Sequence, residues 1–418
     1  MDIKQNNIYK ELFKENIWFI SFLSFFFILF FIVQNINHRF WLHDYEVYYS
    51  AANSFIHGEK VYGVSYGLSS GFYKYSPFAL FVFTPFSLLP FYAAKVIHFI
   101  ILSALIIITI ILSEKNISKN FFNQTLIKKR NLKLFLVFLP LLPNVYTELH
   151  LGNINIILLF IFIIAIQLLL SEKYLLSGLL FALGILIKPH FIIFLPFLFL
   201  RKKFKCAFII ILFLITGIII PSFFLGISSN FQMLKDWLIT MQVHNDSLIS
   251  GQNTLYSWIY RSVVQFIFPN AVNHDKLFGM IVLLLIALAF LALLIKHFKK
   301  EKTAFNDSTL IQRNFIFEYF LLLALIPNIT VTDSEHFLLS IPLITFIIIY
   351  LFEGKPKIEI KILSIFFLII YGINMRELIG KAFSVWLTEN GILGLANLFI
   401  IFICIFIYSN YFQKKISK

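Results

Sequence analysis

The residue best placed for acid–base chemistry is a carboxylate in a polar segment, 38–77, that follows the first apolar run. Trp41 and Asp44 lie near the start of this segment, and Tyr75 lies near its end. Aromatic rings settle at a membrane surface, and a carboxylate beside them can take a proton from a hydroxyl group. We therefore expect Asp44 to be a general base. The alternative is a solvated loop carboxylate without a catalytic role.

Two cations are candidates for holding an anionic group near Asp44. Lys188 interrupts a long apolar run next to Pro189, and Arg261 lies in a second polar segment, 226–276. A charge inside an apolar run is costly and marks a functional site by default. Such cations can hold a lipid phosphate while negative charge builds on a leaving group. The alternatives are a Lys188 side chain that reaches back to the membrane surface and an Arg261 that anchors an interfacial helix.

Other polar side chains are candidates for holding a sugar or a phosphate. They are Tyr75, Glu148, Asn155, Gln252 and Asn253. A late group, Asp333, Glu335 and His336, is a possible acceptor or auxiliary site, and its spacing is also compatible with a metal. A hydrogen-bonded turn is the more common use of such a group, so we expect no metal site, and divalent metal dependence is left open.

The composition of the chain indicates a membrane protein. Of 418 residues, 59% are hydrophobic and 13% are charged, whereas soluble domains carry roughly 25% charged residues. Apolar runs of about 18 residues or more recur, and each can cross a bilayer. The net charge of +14 comes from short Lys and Arg clusters between these runs, which indicates membrane orientation and lipid contact rather than nucleic-acid binding. Cys206 and Cys404 have neither metal-ligand nor redox-motif spacing.

The pattern of runs predicts an all-α bundle of about twelve transmembrane helices. The expected spans are 18–33, 91–112, 134–146, 154–170, two short helices within 175–200 that meet at Lys188, and then 207–225, 277–295, 315–330, 337–352, 362–374 and 392–408. The segment 44–56 predicts a surface helix with an aromatic face on the membrane, and 77–90 predicts a re-entrant piece broken by prolines. We expect one domain, 1–418, whose outer-face loops 37–90 and 226–276 form the site.

Charge distribution predicts the orientation of this bundle. With both termini in the cytoplasm, most of the 35 Lys and Arg residues fall on the inner side, as the positive-inside rule requires. The candidate residues then converge on the extracytoplasmic face of a bacterial-type cell membrane.

Short motifs in a fixed order give the chain a family resemblance. The N-terminal set is Asp44-Tyr45, Tyr48, Ala51-Ala52, Gly58, Tyr62, Tyr75-x-Pro77, Pro85 and Leu89-Pro90. The later set is Glu148-Leu149-x-Leu-Gly152-x-x-Asn155, Gly178 to Gly184, Lys188-Pro189, and Gln252-Asn253-Thr254-Leu255 with Arg261. Together they resemble glycosyltransferase family 87, whose members include polyprenol-phosphate-mannose-dependent mannosyltransferases, over about two-thirds of the chain.

The resemblance implies a GT-C fold, an inverting transfer and a catalytic aspartate in the first extracytoplasmic loop, here Asp44. The sequence departs from the family pattern at Ser76, where a second proline is common, and at Asn153, where Gln is common. The segment 333–336 lacks the Ser-Trp-x-His-His pattern, which puts the donor sugar or the acceptor in doubt.

The leading hypothesis is transfer of a hexose such as mannose from a polyprenyl-phosphate sugar to an outer-face glycan or glycolipid. The lipid-linked sugar is then a substrate, and no cofactor is expected. The expected partners are this donor, the acceptor and membrane lipid, without nucleic acid. The alternative is a multi-pass lipid or polyisoprenoid flippase, but transporters usually show matching broken helices in their two halves, and these halves do not match.

Overall fold

The computed structural model describes residues 15–67, 71–122, 129–246, 253, 255–268, 281, 285, 308–330 and 333–413. The chain is an all-α polytopic membrane protein, as predicted, and its described residues include one small hairpin. It divides into two compact units. Unit 1 comprises 1–115, 126–138 and 145–244, and unit 2 comprises 116–125, 139–144 and 245–418.

The helices of the first part of the chain run from α1 to α11. They are α1 Ile17–Ile36, α2 His43–Ile56, α3 Pro77–Ser87, α4 Phe91–Phe121, α5 Arg130–Phe138, α6 Leu142–Leu151, α7 Asn155–Leu170, α8 Tyr174–Ile187, α9 Phe194–Leu200, α10 Phe204–Leu225 and α11 Ile227–Asp246. Short 3₁₀ turns at Leu139–Leu141 and Pro189–Ile193 precede α6 and α9. Strands β1 Ser65–Tyr66 and β2 Gly71–Phe72 pair antiparallel, with Ser65 opposite Phe72.

Among the described residues that follow, the helices run from α12 to α19. They are α12 Leu255–Ile259, α13 Gln265–Ile267, α14 Ser308–Ile329, α15 Ile341–Glu353, α16 Ile358–Gly372, α17 Arg376–Ile379, α18 Lys381–Glu389 and α19 Ile392–Ile407. A 3₁₀ segment, Ser334–Ser340, leads into α15, and π-helical turns lie at Tyr260–Val264 and Tyr408–Gln413.

Seven helices of the described residues are long and apolar enough to cross a membrane. They are Ile17–Ile36, Phe91–Phe121, Arg130–Leu151, Phe204–Leu225, Thr309–Ile329, Ser334–Glu353 and Ile392–Tyr411. Four shorter apolar helices accompany them, at Pro77–Ser87, Asn155–Leu170, Tyr174–Ile187 and Pro189–Leu200. The predicted span 277–295 lies outside the described residues except for positions 281 and 285, so the total of twelve stays a prediction.

The predicted break at Lys188 is confirmed. Lys188 ends α8 in an extended conformation, with φ −123° and ψ 100°. Pro189 has no N–H and disfavours a helical conformation at the residue before it, so α8 has to stop there. The break leaves Lys188 between two short apolar helices.

Two expectations about α2 and the second polar segment are wrong. Tyr45, Tyr48, Ala52 and Phe55 of α2 are buried by the protein itself, because α2 packs against α3 and the β-hairpin. An aromatic face at helical spacing does not distinguish a lipid surface from a protein one. The segment predicted as a polar loop, 226–276, opens with the 20-residue helix α11.

Aromatic packing and close glycine contacts hold unit 1 together. Phe162 of α7 lies 5.8 Å from Phe181 of α8 and 4.4 Å from Phe191, measured between ring centroids. A Cβ at Gly184 would lie 2.4 Å from the Phe162 ring, so only glycine permits this approach of α8 to α7. Helices α7, α8 and α10 thereby form one packed layer.

Unit 2 has an apolar core with a polar centre. The side-chain amide of Asn397 on α19 donates to the Ala324 carbonyl at 2.7 Å and accepts from Ser340 at 2.6 Å. Asn328 donates to the Gly394 carbonyl at 2.7 Å. Buried polar groups in a membrane bundle need such partners because the bilayer core offers no water.

Candidate functional site

The first turn of α2 places Asp44 at the edge of unit 1. Leu42 adopts a left-handed conformation, with φ 52°, immediately before the helix. Its N–H donates to the His150 carbonyl at 3.2 Å and so ties the start of α2 to the last turn of α6. Asp44, the second residue of the helix, is partly exposed, and a carboxylate there is favoured by the positive end of the helix dipole.

Gly152 allows this close approach of α2 to α6. Its φ is +68°, and a Cβ built on it would lie 2.9 Å from Tyr45 Cβ and 3.0 Å from Leu42 Cβ. The His98 ring, with Nε2 2.9 Å from the Gly152 carbonyl oxygen, stacks on Tyr45 at 4.1 Å. The turn after α6 therefore fits against α2 without a gap.

Asn153 lies at the centre of the cluster that this packing creates. Its Nδ2 donates to Asp44 Oδ2 at 2.7 Å, and its Oδ1 accepts from the Ile154 N–H at 2.7 Å. The same Oδ1 lies 3.4 Å from Lys188 Nζ. One amide group thus separates a carboxylate from an ammonium group.

Two further side chains orient the ammonium group. Lys188 Nζ donates to Asn155 Oδ1 at 2.6 Å, and Asn155 Nδ2 donates to Glu148 Oε2 at 3.1 Å. The other oxygen of Glu148 accepts from the Ile156 N–H at 2.8 Å. Lys188 is 5% exposed and Glu148 is fully buried. Removing either charge would leave the other costly to bury, so the two are energetically coupled.

A tyrosine pair covers one side of the cluster. The Tyr48 and Tyr75 hydroxyl oxygens lie 2.8 Å apart, and the Tyr48 hydroxyl lies 3.4 Å from Asn153 Oδ1. Lys188 Nζ lies 5.8 Å from the centre of the Tyr75 ring, within the range of a cation–π contact. Burial, and then the nearby Tyr75 and Asp44, raise the pKa of Tyr48 well above its ordinary value. Tyr48 is therefore a neutral hydrogen-bonding group.

Structure brings five of the sequence-predicted site residues into this one cluster: Asp44, Tyr75, Glu148, Asn155 and Lys188. Sequence reasoning missed two members, Asn153 and Tyr48. Asn153 was visible only as a departure from a family pattern, and Tyr48 only as one aromatic of an amphipathic face. A carboxylate, an amide and an ammonium in contact can accept a proton and hold an anion within a few ångströms of each other.

The predicted site residues of unit 2 have other surroundings. Gln252 lies outside the described residues. Asn253 is buried, with φ 65°, and its N–H donates to the Thr388 carbonyl at 3.0 Å. Arg261, about 40% exposed, lies 3.5 Å from the Glu389 carboxylate. Their roles toward a donor stay predictions.

The late acidic group is a compact turn at the start of the 3₁₀ segment. Asp333 is exposed, Glu335 is fully buried, and His336 Nδ1 lies 3.2 Å from Glu335 Oε1. The backbone N–H of His336 donates to the Asp333 carbonyl at 3.3 Å. Within the part of the chain that is described, no three His, Cys, Asp or Glu side chains come close enough to hold a metal together.

Comparison with known families gives this cluster a context. A model of glycosyltransferase family 87 matches residues 72–315, more than half of the chain. The match includes Tyr75, Glu148, Asn153, Asn155 and Lys188, whereas Asp44 lies before it. No curated protein and no solved structure matches the chain. The length of the family match identifies this integral membrane protein as a member of glycosyltransferase family 87.

Proposed function

We propose that this glycosyltransferase moves a hexose, mannose in the first instance, from a polyprenyl-phosphate donor to a glycan or glycolipid acceptor on the outer face of the membrane. The observation that carries the proposal is the contact of one Asn153 amide with both Asp44 and Lys188. An inverting transfer needs a base for the acceptor and a cation for the departing phosphate, and this pair supplies both.

Asp44 acts on the acceptor in this mechanism. Its partly exposed carboxylate takes the proton from an acceptor hydroxyl as the hydroxyl oxygen bonds to the sugar C1. Asn153 holds Oδ2 of the carboxylate at 2.7 Å, and the carboxylate takes the proton through one of its two oxygens. A charged hydrogen bond of this kind fixes the direction in which the base points.

Lys188 acts on the leaving group. As the bond between C1 and the phosphate oxygen breaks, the electron pair stays on the polyprenyl phosphate, and the ammonium offsets the added negative charge. Asn155 and Glu148 keep Nζ in place through the 2.6 Å and 3.1 Å hydrogen bonds. Tyr75 limits its movement from the ring side. We also propose donor contacts for Arg261, Gln252 and Asn253, and an acceptor or auxiliary role for Asp333, Glu335 and His336.

The deciding experiment uses purified protein in vesicles with polyprenyl-phosphate [¹⁴C]mannose and a membrane lipid extract as acceptor source. We expect a labelled glycolipid together with free polyprenyl phosphate, and parallel reactions with other polyprenyl-phosphate hexoses rank the donors. Asp44→Asn protein is the matched control and should form product at least about a hundredfold more slowly. A donor that crosses the membrane without losing its sugar would favour the flippase alternative and contradict the proposal.

A further inference from the structure

An apolar groove of about 730 Å³ runs between α1 and α4 in unit 1. Phe27 and Phe31 of α1 form one wall, and Phe99 and Ile107 of α4 form the other. Ser24 and Ala104 are small residues in the lining, so the two helices leave space between them. Its volume is typical of ligand sites, which hold roughly 300–1,000 Å³.

Hydrocarbon is the medium around this groove because both of its helices are long enough to span a membrane. Most of α1 is unburied by protein, with Phe25 65% and Ile28 59% exposed. A groove between two such helices, lined almost wholly by apolar side chains, favours a hydrocarbon chain over water.

A cation lies at one end of the groove. Lys95 precedes Val96, a groove residue, and is in the second turn of α4. Its Nζ donates to the Phe40 carbonyl at 2.8 Å. The Phe40 ring in turn lies 5.1 Å from Phe31 and 5.7 Å from Phe99, both of which line the groove. Lys95 therefore lies next to the end of the apolar groove, near the N-terminus of α4.

The Lys95 ammonium keeps hydrogen-bonding capacity. Among the described residues no carboxylate forms an ion pair with it. Its neighbours are one carbonyl and the rings of Phe40, Phe91 and Tyr92, at 5.2, 5.0 and 5.9 Å from Nζ. The Glu46 carboxylate interacts with it electrostatically from beyond ion-pair distance. A lysine has three N–H donors, so two remain for an anion. Tyr92, which is 56% exposed, adds a hydroxyl group that is hydrogen-bonded to Asn35 at 3.1 Å.

We infer that this groove binds an anionic phospholipid of the surrounding bilayer, with one acyl chain between α1 and α4 and the phosphate on Lys95. A phospholipid fits because it joins a hydrocarbon chain to a phosphate, which are the two chemistries that the groove and Lys95 offer. The site is separate from the Asn153 cluster, where Lys188 has its own buried amide partners. Its occupancy goes beyond the proposed transfer reaction and does not depend on it.

The test is lipid retention by the full-length protein, without donor or acceptor. Protein is reconstituted with equal parts of phosphatidylglycerol and phosphatidylcholine, extracted in mild detergent, and examined by native mass spectrometry. We expect wild-type protein to retain one phosphatidylglycerol in preference to phosphatidylcholine. Lys95→Gln should lower that retention by about tenfold or more, since a hydrogen bond to a charged group has this worth, and Lys95→Arg should keep most of it.

Matched variants separate the site from general lipid contact. Ala104→Phe fills the groove and should abolish retention, whereas Ile97→Phe, on an exposed position of the same helix outside the lining, should not. Lys60→Gln, an exposed loop cation, is the charge control. Equal retention in wild type and Lys95→Gln, or equal retention of the two phospholipids, would overturn the inference. So would displacement of phosphatidylglycerol by stoichiometric polyprenyl phosphate, which would assign the groove to the donor instead.

Discussion

Replacement of Asp44 by Asn tests the assignment of the base most directly. The change keeps the size of the side chain and lets its new amide oxygen accept the hydrogen bond from Asn153 Nδ2, now at 2.7 Å from the carboxylate. Only the charge and the ability to take a proton are lost. The start of α2 is held by the Leu42 N–H bond to His150, which the substitution does not touch.

The expected loss of rate follows from this separation of roles. General-base catalysis contributes about 10²–10⁴-fold, which corresponds to about 2.7–5.5 kcal/mol of transition-state stabilisation. The hydrogen bond to Asn153 remains, but both of its partners are now neutral. The loss in free energy of unfolding should therefore stay near the ~1 kcal/mol of an ordinary hydrogen bond. We expect kcat to fall by the full factor while donor affinity and the unfolding temperature remain close to wild type.

The assay is single-turnover transfer with labelled donor, with donor binding measured separately on the same preparations. Glu46→Gln is the internal control, because Glu46 lies two residues along the same helix but outside the hydrogen-bonded cluster around Asn153. This substitution should be nearly silent. Asp44→Glu should recover little, since one methylene moves the base by about an ångström. Full activity of Asp44→Asn, or abolition of activity by Glu46→Gln or Glu335→Gln, would show that another carboxylate is the base.

Three further predictions address the cation, the turn and the orientation. Lys188→Ala should weaken donor binding strongly in a lipid-binding assay. Lys188→Arg should retain part of the binding, because the charge remains but its geometry changes. Unchanged donor affinity in Lys188→Ala would show that Lys188 does not bind the phosphate. Gly152→Ala forces an alanine into a left-handed conformation, at a cost of about 1–2 kcal/mol, and brings its Cβ too close to Leu42. Both the unfolding temperature and kcat should therefore fall, and a wild-type melting curve would show that Gly152 does not limit the packing of α2 on this turn. With both native cysteines buried, an impermeant thiol reagent should label Lys60→Cys from outside and should not label Ser171→Cys, and the reverse pattern would invert the orientation.

Much of this site could be predicted because a charged residue, Lys188, lies in an apolar run where burying a charge is costly. A lysine in an apolar run, followed by a proline, indicates both a charge with a purpose and a break that positions it, and the structure has both at Lys188. Seven of the expected membrane spans follow from apolar length in the same way. These signals are local in the sequence. They remain informative after folding because a bilayer penalises unpaired charges and unsatisfied backbone groups.

Asn153 could not be found in the same way. An asparagine after a glycine is typical of a turn, and only tertiary packing decides that its amide faces a carboxylate 109 positions earlier in the chain. The aromatic face of α2 was misassigned for a related reason, because burial by protein and burial by lipid require the same residue types. Helix α11 was missed because its polar sequence has no strong apolar period.

The bridging amide also gives the cluster a direction. An amide side chain is a dipole with one donating end and one accepting end, and here the carboxylate meets the first and the ammonium meets the second. Rotation of the Asn153 amide by half a turn would set oxygen against Asp44 and NH₂ against Lys188, and both contacts would repel. The two charges therefore hold the amide against inversion, and the amide in turn makes them interdependent. A descendant enzyme that exchanged the base and the cation would have to turn this one side chain at the same moment, so we expect the three positions to change together or not at all.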